Sequence, residues 1–386
     1  MNKYTSFETA LEKRREQKEF RQLRCVAAME EKSDHTHHNF TSSDVLGLSR
    51  HPYVKKNTIK YVLDWGAGTT PSRLVTEHLE CHRGVEEKLA NLVGKETALL
   101  FPSAYNAHQL VLSTLIQPRA MIFIDRYCHS SLIQSAIQTK AQVFRYEHGN
   151  LKQLRELLEK TDPSHQKWLI TESLFGINGE AIDLKKLAEI AQEFGALTYV
   201  DDSNSVGVMG KHGMGLASCR KEIDVTFGSF GAQSGTFGAF IATNKLLKEY
   251  LLSFNSELIE TTMLPPAGLG AISGSLDLIP DMHVEREKIL SLSNTLRELL
   301  MDAHWDTGSG NSHIIPALCS SSEMCQKLSN ALFKKNILAA TLLPPAFPQG
   351  TTRLRFIVSA LHTTEDLELV AQTLTEFKEE PALSIV

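Results

Sequence analysis

Four short clusters in this chain bring ionisable and hydroxyl side chains together directly after apolar runs. They are Asp125-Arg126-Tyr127-Cys128-His129-Ser130-Ser131, Thr171-Glu172-Ser173, Val200-Asp201-Asp202-Ser203-Asn204, and Gly228-Ser229-Phe230-Gly231-Ala232-Gln233-Ser234-Gly235. The first sets a histidine at the entrance of a helix capped by polar residues. The third puts two carboxylates at a strand end, and the fourth is a glycine-rich loop between apolar segments. Taken singly, each also suits a helix cap, a turn acid, a solvated pair or a flexible hairpin. Their common position after apolar runs is what points to chemistry, because open α/β sheets bind ligands outside the carboxyl ends of their strands.

The elements that would position these clusters follow from the hydrophobic pattern. Short apolar runs at 97–101, 121–124, 168–171, 197–200 and 240–243 read as buried strands. Helical periods at 83–93, 130–139, 151–160 and 184–194 lie between them. The alternation predicts an α/β fold with a mainly parallel sheet covered on both faces. Residues 4–29 read as one amphipathic helix with Phe7, Leu11 and Phe20 on its apolar side. The turn Thr261-Thr262-Met263-Leu264-Pro265-Pro266-Ala267 closes the sheet region, and helical stretches at 272–278 and 284–303 lead into a smaller C-terminal α+β unit. The expected division is an N-terminal arm and helix at 1–60, a large domain at 61–265, and a linking helix with a small domain at 266–386.

Composition excludes several classes. The chain has 386 residues, 42% hydrophobic and 22% charged, as ordinary globular domains do. Its net charge of −5 with no basic block argues against nucleic acid as a partner. No apolar run approaches the roughly 18–20 residues of a membrane span. Residues 1–24 lack the apolar core of a secretory signal. The six cysteines are far apart with no CxxC pair, which suits free thiols in the cytoplasm. The His35-Thr36-His37-His38 tract has no accompanying thiolate or carboxylate set, so no metal site is assigned.

In this order the clusters resemble the α-oxoamine synthases, a family of fold-type I enzymes dependent on pyridoxal phosphate (PLP) that includes 8-amino-7-oxononanoate synthase and serine palmitoyltransferase. The stretch Asn39-Phe40-Thr41-Ser42-Ser43-Asp44-Val45-Leu46-Gly47-Leu48 with His51-Pro52 is similar to the family's NFxSNDYLGLxxHP. Trp65-Gly66-Ala67-Gly68, Ser72-Arg73-Leu74-Val75-Thr76, His82 and Glu86 resemble WGxGxxxSRLVxGxxxxHxxLE, and Phe101-Pro102-Ser103-Ala104-Tyr105-Asn106-Ala107 resembles FxSGYxAN. Leu264-Pro265-Pro266, Arg353-Leu354-Arg355 and His362-Thr363 match as well. The resemblance covers about 39–374. It implies the fold-type I transferase fold and a decarboxylative condensation of a small amino acid with an acyl thioester, the chemistry of biotin synthesis in the 8-amino-7-oxononanoate case.

The same resemblance assigns roles. Asp201 would hold the proton on the pyridine nitrogen, which makes the ring an electron sink. His129 would stack on the ring, Ser173 would sit beside its hydroxyl, and Asn204 takes the place of the family's second histidine. The backbone of Ala104 and Tyr105 at a helix start, with Ser229, would bind phosphate. Arg353 would clamp the substrate carboxylate, a role suited to its fork, with Arg355 in reserve and a plain edge-strand arginine as the competing reading of Arg353.

The departures are equally informative. The family's loop reads roughly GTxxKAxGxxGG, with the Schiff-base lysine three residues after the Thr or Ser; here Ser229 is followed by Ala232. Loss of general acid–base help alone costs roughly 10²–10⁴ in rate. Lys211, Lys221 and Lys245 are nearest in sequence, and none is expected to reach the site. Ser43, Val45, Glu77, Ala104, His108, Ser203 and Asn204 also depart from the family pattern, which favours natural divergence over a single engineered change. Three readings follow: a non-catalytic subunit in a homodimer or in a heterodimer with a catalytic sister; an active acyltransferase using PLP held non-covalently; and a pocket that binds PLP or an acyl thioester without turnover.

Overall fold

The computed structural model describes residues 3–17, 20, 38–69, 72–76, 78–231, 234–344, 347 and 350–377. Helix α1 (Thr5–Glu16) has no buried residue. Most of the rest of the helix expected over 4–29 lies outside the described residues, as do His35, Thr36 and His37. After β1 (His38–Asn39) come α2 (Pro52–Trp65) and α3 (Glu80–Val93). Then strands and helices alternate: β2 (Thr97–Phe101), α4 (Ala104–Leu115), β3 (Met121–Asp125), α5 (Ser130–Gln138), β4 (Gln142–Tyr146), α6 (Leu151–Glu159), β5 (Lys167–Glu172), α7 (Leu184–Glu193) and β6 (Leu197–Asp201). The hairpin β7 (Val225–Ser229) and β8 (Ala239–Thr243) completes this sheet. Helices α8 (Lys245–Phe254), α9 (Ser256–Glu260), α10 (Pro266–Leu278) and α11 (His283–Asp302) follow. The chain ends with β9 (Ile314–Leu318), α12 (Ser322–Lys334), β10 (Ile337–Leu338), β11 (Ala340–Leu342), β12 (Arg353–Ile357) and α13 (Thr364–Thr375).

The seven-stranded sheet has the order β2-β8-β7-β6-β5-β3-β4. Neighbours are parallel except β8, which is antiparallel to both β2 and β7. The expected mainly parallel sheet is therefore present. Strand β3 is buried along its whole length, as continuous apolar runs require when helices cover both faces. Ile122 and Ile124 join one core cluster with α4 and α5, while Met121 and Phe123 join another with α6 and α7. A separate sheet of order β11-β12-β9 packs with α11, α12 and α13.

Local chemistry sets the helix ends. Pro52 and Pro266 open α2 and α10, where a missing N–H costs nothing. Ser103, Asp183 and Asn244 cap α4, α7 and α8 by accepting backbone N–H groups. Gly94 ends α3 in the left-handed region at φ +73°. Thr363 and Asp366 form a reciprocal capping box on α13.

The loop after β6 is locked from below. Asp202, fully buried, accepts hydrogen bonds from the hydroxyls of Ser173 and Ser205 and from the N–H groups of Leu216 and Ala217 at 3.1 and 2.9 Å. Burial pushes its carboxyl up to about 6 against those bonds. Gly215 has φ +99°, and a Cβ there would overlap the Asp202 carboxylate. Gly215→Ala is therefore expected to destabilise the fold by at least about 2 kcal/mol, seen as a lowered urea midpoint with unchanged slope. An unchanged midpoint would contradict this lock.

Candidate active site

Asp201 and Glu172 are the last residues of β6 and β5, and the parallel register sets them opposite each other. Both are buried. Side chains two apart share a face, so Asp201 lies on the same side as Tyr199, and Asp202 on the other. Helix α4 brings His108 over that side. Its Nε2 is 3.3 Å from Asp201 Oδ2, and its Nδ1 is 2.8 Å from the Tyr199 hydroxyl. The Ser203 N–H donates to Asp201 Oδ1 at 2.9 Å. Burial would raise the Asp201 carboxyl, but His108 and Ser203 together outweigh it and hold the group below its ordinary value.

Glu172 is tied by donors from three places. Its Oε1 accepts the His129 N–H at 2.6 Å, and its Oε2 accepts Asn204 Nδ2 at 3.2 Å and the Gly176 N–H at 3.4 Å. Burial, and then the charge of Asp201, push its carboxyl well above the usual range despite those bonds. His129 is the N-cap of α5, with Nδ1 2.7 Å from Ser131 Oγ, and its ring meets Tyr105 edge-on at 6.0 Å. The residue as a whole is exposed, yet protein surrounds much of its imidazole. This crowding lowers the imidazole below its ordinary value against the pull of Asp201, and His108 and Arg355 add to the lowering. From β12, Arg355 Nη1 donates to the Gly176 carbonyl at 2.8 Å, and its charge acts on both Glu172 and His129.

The start of α4 offers donors beside this group. Ser103 Oγ accepts the Asn106 N–H at 3.3 Å, which leaves the first N–H groups, of Ala104 and Tyr105, without an intrahelical acceptor. The Tyr105 hydroxyl is 3.0 Å from Ser130 Oγ and so ties the starts of α4 and α5 together. Ser229 ends β7 in the row Phe101, Ala239, Ser229 that crosses β2, β8 and β7. The donor set fits PLP: an ionised buried carboxylate for the ring nitrogen, an imidazole for its face, and a helix start with a hydroxyl for phosphate. Ala232 lies outside the described residues.

Two expected residues are engaged elsewhere. Ser173, expected beside the ring hydroxyl, is fully buried, donates to Asp202 and approaches Ser205 Oγ at 3.3 Å. It follows Glu172, and alternation turns it to the opposite face. Arg353, expected as the carboxylate clamp, donates Nε to the Thr351 carbonyl at 2.6 Å and Nη1 to Asn178 Oδ1. Arg355, two residues on and on the same face of β12, is the guanidinium whose charge acts on Glu172 and His129. Sequence reading also passed over Glu172 as the neighbour of Asp201, a pairing visible only once β5 and β6 are in register.

The model of a family described as aminotransferase class I and II matches residues 36–374. The chain belongs to that family. It is 36% identical over 377 residues to a Desulfosudis oleivorans protein provisionally named 8-amino-7-oxononanoate synthase, covering 96% of this chain and 98% of that one. This places it among the α-oxoamine synthases. A Lys-to-Ala variant of serine palmitoyltransferase from S. paucimobilis, solved with a bound PLP–myriocin aldimine, superposes with a TM-score of 0.89 at 23% identity, over 97% of this chain and 98% of that one. The 8-amino-7-oxononanoate synthase of Francisella tularensis superposes at 0.78 with 24% identity, over 89% and 98%. The fold is that of the fold-type I transferases.

In this family member a second polar group borders the site. His148 Nδ1 is 3.0 and 3.1 Å from the two oxygens of buried Asp125, and its Nε2 is 2.7 Å from Glu180 Oε2. Glu180 also accepts from Ser309, near β9, so the bridge links the main sheet to the C-terminal one. Burial would lower His148, but the hydrogen bonds and charges of Asp125 and Glu180 outweigh it and raise the imidazole above 6.5. A raised folded-state value means that the stabilisation is full below about pH 6.5 and is lost as pH rises through the folded value. Relative to His148→Gln, the native chain is expected to be most stabilised below pH 6.5 and to lose that advantage on going alkaline, measured by thermal melting across pH. A difference that grows with pH would contradict the assignment.

Proposed function

We propose that this chain is a diverged α-oxoamine synthase that holds PLP without a covalent lysine link and serves as a non-catalytic subunit of a dimer. The observation that carries the reading is the combination, in one chain, of Ala232 at the sequence position of the Schiff-base lysine with a carboxylate, Asp201, that is still buried and held below its ordinary value. Bound PLP would supply an electron sink for a substrate carbanion. Asp201 would keep the ring nitrogen protonated, His129 would cover the ring face, and Asn204 would stand near its edge. Ala104, Tyr105 and Ser229 would hold the phosphate. Arg355, rather than Arg353, would receive an amino-acid carboxylate.

Among the described residues, the hydrogen bonds and ion pairs of Asp201, Glu172, His129 and Asn204 involve no lysine. Lys211, Lys221 and Lys245 are exposed. Exposed apolar side chains on α2 (Leu63), on the first turn of α4 (Tyr105) and in loops (Val75 and Phe237) suit burial by a second subunit, either another copy or a catalytic sister. No described helix is long and apolar enough to cross a membrane, and the five described cysteines are free, which supports the cytoplasm as its setting.

A second reading is favoured by one comparison: in the S. paucimobilis variant a Lys-to-Ala change and a PLP aldimine coexist. Here it would be an active acyltransferase with non-covalent PLP, condensing an amino acid with an acyl thioester on the route to biotin or a related ketone. The two separate cleanly. The purified chain with PLP, a small amino acid and acyl-CoA is expected to release no free CoA at ordinary enzyme rates; release abolished by Asp201→Ala would establish the second reading instead.

Borohydride treatment with PLP followed by peptide mass spectrometry is expected to label no lysine stoichiometrically in the native chain. Ala232→Lys should restore a single adduct at that position. A stoichiometric adduct on a native lysine would overturn the non-covalent assignment. For the carboxylate, Arg355→Gln is expected to abolish the change that an amino acid induces in the absorbance of bound PLP. Arg353→Gln should leave that change in place and lower the melting temperature.

A further inference from the structure

The residue behind Asp201 is where this chain departs from its family in a way that the structure makes specific. His108 stands where the family pattern has asparagine. It is buried on α4 with its ring 4.0 Å from that of Phe227. Nδ1 faces the Tyr199 hydroxyl at 2.8 Å and Nε2 faces Asp201 Oδ2 at 3.3 Å, at ion-pair distance but off the line of a closed hydrogen bond. The two contacts use both ring nitrogens, on opposite sides of one imidazole.

The proton positions follow from the neighbours. Tyr199 is fully buried, and burial together with the charge of Asp201 pushes its phenol well above 10, so it keeps its proton. His108 Nδ1 is the only hydrogen-bond partner of that hydroxyl among the described residues. A phenol that donates to Nδ1 leaves the ring proton on Nε2, the nitrogen facing Asp201. The other groups around Asp201 do not supply this: the hydrogen bonds of Glu172 among the described residues go to His129, Asn204 and Gly176, and Ser203 donates from the backbone to Oδ1. An asparagine at 108 could donate to Asp201, but it could not pass the orientation set by Tyr199.

We propose that Tyr199, His108 and Asp201 form a directed relay in which Tyr199 fixes the His108 tautomer and His108 presents Nε2–H to the carboxylate that grips the pyridine nitrogen. His108 and Tyr199 are positioning residues. The proposal rests on the reading that Asp201 receives the ring nitrogen of PLP. It gives the substitution at 108 a purpose in a chain without the lysine: a cofactor with no covalent tether is retained by its non-covalent contacts alone, and the ring-nitrogen contact is strengthened by fixing its partner.

The test measures binding and tautomer separately. Equilibrium dissociation constants for PLP and for 4-deoxypyridoxine phosphate, which has the same ring and phosphate but no aldehyde, are measured for native protein, His108→Asn, Tyr199→Phe and Asp201→Asn. Weakening of both ligands by about 10-fold is expected in His108→Asn and by about 3-fold or more in Tyr199→Phe, with Asp201→Asn the weakest binder. Native-like affinity in His108→Asn alongside weak binding in Asp201→Asn would overturn the relay while leaving the PLP reading intact. In parallel, ¹⁵N NMR of the native protein, with the His108 signals assigned by their absence from His108→Asn, is expected to show Nε2 protonated and Nδ1 bare, and Tyr199→Phe is expected to blur that preference. A proton on Nδ1 in the native protein would overturn the relay whether or not PLP binds. Failure of both ligands to bind native protein would instead overturn the PLP reading, and the NMR result would still decide the relay.

Discussion

Two carboxylates lie side by side at the ends of neighbouring parallel strands, in an interior where neither is well solvated. Glu172 and Asp201 repel one another there, and such a pair is tolerated only when donors surround it. The groups that meet it come from separate parts of the chain: the His108 imidazole from α4 at ion-pair distance, and as donors the His129 N–H from the start of α5, Asn204 and the Ser203 N–H from the loop after β6, and the Gly176 N–H from the loop after β5. Arg355 adds a positive charge from the C-terminal sheet. Satisfying two buried carboxyl groups thus ties together the starts of the helices, the loops after β5 and β6 and the second sheet. The site is a by-product of that electrostatic requirement as much as of core packing.

The two charges are met unequally. Asp201 is held ionised by an imidazole, whereas Glu172 is pushed upward by burial and by its neighbour. A pair divided in this way presents one fixed negative charge at the ends of β5 and β6. A cationic ring nitrogen is the natural complement to that charge, and a site with two equal carboxylates would not select it so clearly.

Much of this was legible in the sequence, because continuous apolar runs mark doubly covered strands and the chemistry-bearing residues follow them. The run 121–124 predicts β3, and the polar cluster after it places His129 at a helix entrance, where the structure makes it the N-cap of α5. What failed did so for physical reasons. The last two residues of β7, Gly228 and Ser229, read as the start of a glycine-rich loop because they break the apolar pattern; Gly228 is needed where the Phe240 ring packs against the backbone. Ser173 reads as a site residue because it follows Glu172, yet period-two alternation sends it to Asp202. Arg353 and Arg355 share a face, so periodicity cannot choose between them, and only the docking of β12 against Gly176 and Asn178 does.

Helix α1 carries a different implication. Phe7 and Leu11 are 66% and 45% exposed, and none of the helix is buried. A lone helix of this length is marginal in water. The core therefore gains little from its exact residues, and selection on folding leaves that segment free to drift. Among orthologues it would vary quickly while the strand ends stay fixed, unless another surface in the cell has come to recognise it.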